Sequence, residues 1–134
     1  MICVLDTNVL SERTKLTPDT SVENFLRAIP AENVRVSSIV LAEIAQGVEN
    51  NPTPNLQLFL AEVLTMPVAD FGEAEALEWG RMTSAAIKQG LEIEIRDTMI
   101  AATASARGWT VATRNISDFA PLGVNVFNPW TDKL

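Results

Sequence analysis

Apolar residues along this chain fall into two kinds of run. Short runs rich in β-branched side chains, at residues 2–5, 34–37, 66–68, 109–112 and 124–127, predict strands, all short and central in character. Longer stretches with apolar positions three and four apart predict helices over residues 8–13, 21–29, 39–48, 54–64, 72–89 and 96–106. Gly90 and Gly108 follow the last two and can adopt the left-handed conformation that closes a helix. Asn50-Asn51-Pro52-Thr53-Pro54 predicts a turn or hinge. Alternation of the two kinds of run predicts an α/β fold of crossover units around a parallel sheet, not a sandwich or a bundle.

In an open α/β sheet, ligands bind at the carboxyl ends of the strands. Asp6 follows the first strand directly, and Thr113, Asn115 and Asp118 follow the strand that ends at Ala112. Both groups therefore fall on one predicted edge. Two further acids lie on apolar helix faces. Glu43 shares a face with Ile39, Val40 and Gly47, and Asp97 shares one with Ile100, Ala101 and Ala104.

Each acid has an ordinary structural alternative. Asp6 can cap the helix that begins near Asn8, although Thr7 and Asn8 can take that duty and leave it free. Glu43 can be a salt-bridged boundary residue. Asp97 is favoured by the dipole at a helix N-terminus, and Asp118 lies in what reads as a polar loop where acids form turns. Together, four carboxylates in one pocket point to a hard, oxygen-seeking cation, since burying them without one is costly. The chain has no histidine, which favours Mg²⁺ or Mn²⁺ over softer metals.

Composition narrows the setting. A chain of 134 residues with 47% hydrophobic side chains predicts one compact domain, residues 1–134, with a real core. The first apolar run is too short for a signal peptide, and no stretch reaches the ~18 residues of a membrane span, so the expected setting is the cytoplasm, away from membranes. Cys3 sits inside a strand and reads as a small buried hydrophobe, which argues against disulfides and zinc. A net charge of −7 opposes broad attraction to nucleic acid, but a bound cation can reverse the local field of an acidic pocket. The same charge suits a basic protein partner.

The ordered motifs carry a family resemblance. Leu5-Asp6-Thr7-Asn8-Val9-Leu10-Ser11-Glu12, then Ala42-Glu43, then Asp97-Thr98-Met99-Ile100-Ala101-Ala102-Thr103-Ala104, then Thr113-Arg114-Asn115-Ile116-Ser117-Asp118-Phe119 resembles the PIN-domain ribonucleases, and more narrowly the VapC and FitB-like toxins of bacterial toxin–antitoxin modules. The likeness runs in order from Ile2 to Trp130 and includes the Ala76-x-x-Trp79-Gly80-Arg81 helix of FitB-like members. One departure is Thr98-Met99, where members commonly carry a small residue and leucine; it is expected to affect packing more than chemistry.

The resemblance implies a PIN-like three-layer α/β/α fold with a short central parallel sheet. It also implies that Asp6, Glu43, Asp97 and Asp118 hold one or two Mg²⁺ ions, with Mn²⁺ as substitute, and that Thr113 and Asn115 orient the attacking water or Asp118. The implied activity is hydrolysis of RNA to a 5′-phosphate and a 3′-hydroxyl, and the implied partners are a VapB-type antitoxin and a second copy of the chain, in a dimer or larger assembly. Arg13, Lys15, Arg96 and Arg114 lie near the predicted edge as candidate phosphate contacts. The apolar helices around residues 22–29 and 59–64 are candidate dimer or antitoxin surfaces, with core as the default. Trp79 and Trp109 read as core. Rival readings are an inert PIN module that binds RNA or protein, and a haloacid-dehalogenase-like phosphatase; the latter requires a second Asp where this chain has Asn8.

Overall fold

The computed structural model describes residues 1–134. Five strands form one parallel sheet in the order β3-β2-β1-β4-β5. They are β1 (Cys3–Leu5), β2 (Val34–Ser37), β3 (Val68–Ala69), β4 (Thr110–Ala112) and β5 (Asn125–Phe127). Seven α-helices flank the sheet and give the PIN-like α/β/α architecture. They are α1 (Thr7–Ser11), α2 (Thr20–Ala28), α3 (Ser38–Asn50), α4 (Pro54–Val63), α5 (Glu73–Lys88), α6 (Ile95–Ser105) and α7 (Ile116–Phe119).

The central strands carry the core. Cys3, Val4 and Leu5 are completely buried, as continuous apolar strands between two helical layers must be. Burial pushes the Cys3 thiol up to about 11, so it is an inert core group. Not every strand is central, however. β3 and β5 form the two edges, and Val68 and Asn125 are exposed. β3 also begins two residues later than the apolar run at residue 66, because Pro67 has no N–H to donate; its carbonyl accepts from the Val36 amide at 3.0 Å, and strand pairing starts after it.

Helix ends follow local chemistry. Ser37 and Thr53 cap α3 and α4 through their hydroxyls, with Pro54 in the first turn of α4. Gly90 and Gly108 have φ of +79° and +69°, so both take the left-handed conformation expected after a helix. The segment after β4 departs from the expected loop: Ile116–Phe119 is a short helix, anchored by a fully buried Phe119. α5 packs along α6, and the Trp79 indole N–H donates to the Thr98 hydroxyl at 2.9 Å across that contact. The Thr98 departure thus has a packing role.

Topology places the candidate site. The chain runs from β1 outward through β2 to β3, then crosses back to lay β4 on the other side of β1. The order therefore reverses between β1 and β4, which is where open sheets leave a crevice at their carboxyl edge. Register pairs Leu5 with Ala112, so Asp6 and Thr113 leave the sheet side by side.

Candidate functional site

Asp6 is 1% exposed and has no free oxygen. It caps α1 itself, accepting the Thr7 amide on Oδ1 at 2.8 Å; Thr7 and Asn8 do not relieve it of that duty. Its Oδ2 accepts from the Thr113 hydroxyl at 2.8 Å and from the Asn8 side-chain amide at 3.2 Å. Four contacts on one buried carboxylate, including that with Arg96 below, fix its position.

Thr113 is also completely buried, and its hydroxyl oxygen accepts the Asn115 backbone N–H at 3.0 Å. Its proton goes to Asp6, not to Asp118. Asn115 acts in this structure through its main chain, since its exposed side chain makes no hydrogen bond with the protein. Asn8 completes the clasp: its Oδ1 accepts the Arg114 amide at 3.2 Å, tying the loops after β1 and β4 together.

Glu43 arrives from α3. Its Oε1 accepts a short hydrogen bond from the Thr7 hydroxyl, and its Oε2 contacts Arg96 Nε at 2.8 Å. Asp97 arrives from the first turn of α6, on the face of the buried residues Ile100, Ala101 and Ala104. Glu94 caps that helix, accepting the amides of Arg96 and Asp97 at 3.2 and 2.6 Å. Burial pushes the Asp97 carboxyl up to about 6; Arg96 pulls it down, while Glu94, Asp6 and Asp118 push it further up. Asp118, exposed on α7 beside Ser117, faces Asp97, Glu94 and Thr98 across an open cleft of about 160 Å³.

Arg96 lies among the acids. Its three guanidinium nitrogens meet Glu43 at 2.8 Å, Asp97 at 3.3 Å and Asp6 at 3.6 Å. Burial works against its charge, but Glu43, Asp97, Asp6 and Glu94 outweigh that and hold the guanidinium above its ordinary range. With Arg96 seated there, no three acidic side chains stand close enough together to share one metal ion. The donor chemistry nevertheless suits such an ion: every acid offers hard carboxylate oxygen, and three of them already face a single positive charge.

The other basic candidates are differently engaged. Lys15 pairs with the buried Glu12 at 2.8 Å; that contact and the Asp19 amide hold Glu12 below the usual carboxylate range, as a structural acid outside the site. Arg114 lies over the Trp130 ring at 5.0 Å, and Arg13 is exposed. Trp109 is only half-buried, with Arg35 and Arg107 against its ring at 5.3 and 5.1 Å, so it is not a simple core residue.

A family model described as PIN domain matches residues 3–120. The chain belongs to the PIN-domain family. This PIN domain is 36% identical over 137 residues to Toxin FitB of Neisseria gonorrhoeae, with 96% of the chain and 99% of the relative covered. It is 33% identical over 135 residues to VapC ribonuclease Y4jK of Sinorhizobium fredii, covering 95% and 96%. The crystal structure of FitAcB from Neisseria gonorrhoeae superposes with a TM-score of 0.87 at 34% identity, covering 97% of this chain and 99% of that one.

Four residues of this PIN domain's site lie outside the six expected there: Thr7, Asn8, Glu94 and Arg96, the last expected only as a phosphate contact. Thr7 and Asn8 stand in the Leu5-Asp6-Thr7-Asn8 motif, where their type suggested caps. Glu94 precedes a predicted helix, but its capping role depends on the helix starting one residue earlier than the apolar pattern indicates.

Proposed function

We propose that this chain is a Mg²⁺- or Mn²⁺-dependent endoribonuclease toxin, acting in the cytoplasm and held inactive by a cognate VapB-type antitoxin. The observation that carries the proposal is the convergence of Asp6, Glu43 and Asp97 on one cationic position at the β1/β4 crevice. Likeness over nearly the whole chain to proteins named as a toxin and a ribonuclease supports it.

Asp6, Asp97 and Glu43 would hold the ion, with Asp118 joining from across the cleft. When bound, the ion would polarise the phosphodiester, activate a water and neutralise the departing oxyanion, which is how such a site works without histidine. The protein's own contribution is positioning. Thr113 and Asn8 lock the Asp6 carboxylate, Thr7 steadies Glu43, and the Glu94 cap fixes the turn that presents Asp97. Exposed Arg114, whose amide is held by Asn8 beside the pocket, would meet RNA phosphates, whereas Arg13 lies against α4 with Asn55 and Leu58.

Association would use the remaining surface. In α4, Phe59 and Val63 are buried, while Leu58 and the C-cap residue Leu64 face outward, 63% and 59% exposed. These two supply apolar area for the dimer or antitoxin contact that the family resemblance implies. In α2, by contrast, Val22 and Phe25 are buried, as is the following Ile29, which makes that stripe core. No helix is long and apolar enough to cross a membrane.

The test is cleavage of total cellular RNA by purified, antitoxin-free protein in Mn²⁺ or Mg²⁺. Discrete cuts carrying 5′-phosphate and 3′-hydroxyl ends are expected, lost in EDTA and in Asp6→Asn. Cleavage that persists in excess chelator would sink the metal assignment. A folded protein that cuts nothing would instead indicate an inert binding module.

A further inference from the structure

We propose that Arg96 is a built-in competitor for the metal site: its guanidinium occupies the cation position in the metal-free protein and must leave before an ion can bind. The inference rests on the metal-site reading above and concerns how that site is loaded.

Three observations carry it. First, Arg96 does not make one surface ion pair. Each of its three nitrogens faces a different carboxylate, and those are three of the four acids assigned to the ion. Second, its place on the helix is electrostatically poor without them. Arg96 is in the first turn of α6, where the helix dipole repels positive charge, so the facing acids must supply the attraction. Third, the seat is imperfect. Nη1 is buried without a hydrogen bond, 3.6 Å from Asp6, while the side chain as a whole remains 35% exposed. A group held by charge, but not fully satisfied by hydrogen bonds, can be exchanged for a better cation.

Seated arginine and bound ion exclude one another on geometric grounds. Carboxylate oxygens bind Mg²⁺ at about 2.0–2.1 Å, whereas here they stand apart around a planar group several ångströms across. Closing them onto an ion requires the guanidinium to withdraw. The protein thereby keeps a neutralised pocket without metal, and metal affinity is lowered by the free energy of displacing the arginine.

Mn²⁺ titration by calorimetry, at neutral pH and low salt, tests this with wild type, Arg96→Gln, Arg96→Lys and Asp6→Asn. Arg96→Gln should bind Mn²⁺ tighter by roughly tenfold, equivalent to about 1.4 kcal/mol. Arg96→Lys keeps the charge but loses the three-way fork, so its affinity should fall between the two. In EDTA, thermal unfolding should show Arg96→Gln less stable than wild type, with the difference closing in saturating Mn²⁺. Equal or weaker Mn²⁺ binding by Arg96→Gln, with wild type binding and Asp6→Asn not, overturns this inference alone. No Mn²⁺ binding by wild type or by Arg96→Gln overturns the metal reading as well.

Discussion

Thr113 joins fold and chemistry at the scale of single residues. Its hydroxyl is fully buried and donates to Asp6 while accepting the Asn115 amide, so Thr113→Val leaves the buried Asp6 carboxylate and the Asn115 amide each short of a partner. Loss of such a bond costs about 1–3 kcal/mol. Chemical denaturation should show that drop with a cooperative transition retained, and the folded variant should turn over RNA more slowly. Unchanged turnover would remove Thr113 from the positioning set. Asp97 makes a second test. Its carboxyl is raised from 3.8 to about 6, so the folded state binds a proton more readily than the unfolded chain. Metal-free stability should therefore rise as pH falls from 7 to 5, by less than about 1 kcal/mol after solvent screening. Mn²⁺ affinity should move the other way, weakening as protons claim the carboxylate. Melting curves in EDTA would check the first trend, and Asp97→Asn should flatten it.

At the scale of elements, the first turn of α6 governs the site because it carries both Arg96 and Asp97. Glu94→Ala removes the carboxylate that caps both amides and should cost about 0.5–2 kcal/mol. Amide hydrogen exchange should show the loss concentrated in that turn, with Mn²⁺ affinity reduced alongside. Elements with a strong pattern were legible from the chain: the apolar runs of β1, β2 and β4 and the stripes of α2 to α6 emerge within a residue or two. Where reading failed, tertiary context decided. Nothing local marks Val68 as an edge residue, and Ile116–Phe119 is too short a helix to show a period. The acids were legible by type and position, since strand ends and apolar helix faces expose them. The direction of Arg96 was not, because a long side chain near a helix start is ordinarily solvated, and only the folded arrangement brings Glu43 and Asp6 within its reach.

For the whole molecule, charge is the controlling quantity. At −7, the protein should associate quickly with a basic antitoxin, and the association rate should fall steeply between low and physiological salt. Stopped-flow mixing across a salt series would measure it; a flat response would point to association through the apolar face of α4 instead. The strand order has a consequence of another kind, for synthesis. β1 leaves the ribosome first, yet one of its two neighbours is β4, which begins at Thr110 of a chain of 134 residues. Asp6 likewise waits for Thr113, and the pocket waits for Asp118. Through most of translation, the nascent chain therefore holds an incomplete sheet and an unassembled site. A polypeptide broken off before residue 110 would lack β4, Thr113 and Asp118, so a complete pocket can form only once the segment beyond that residue has emerged.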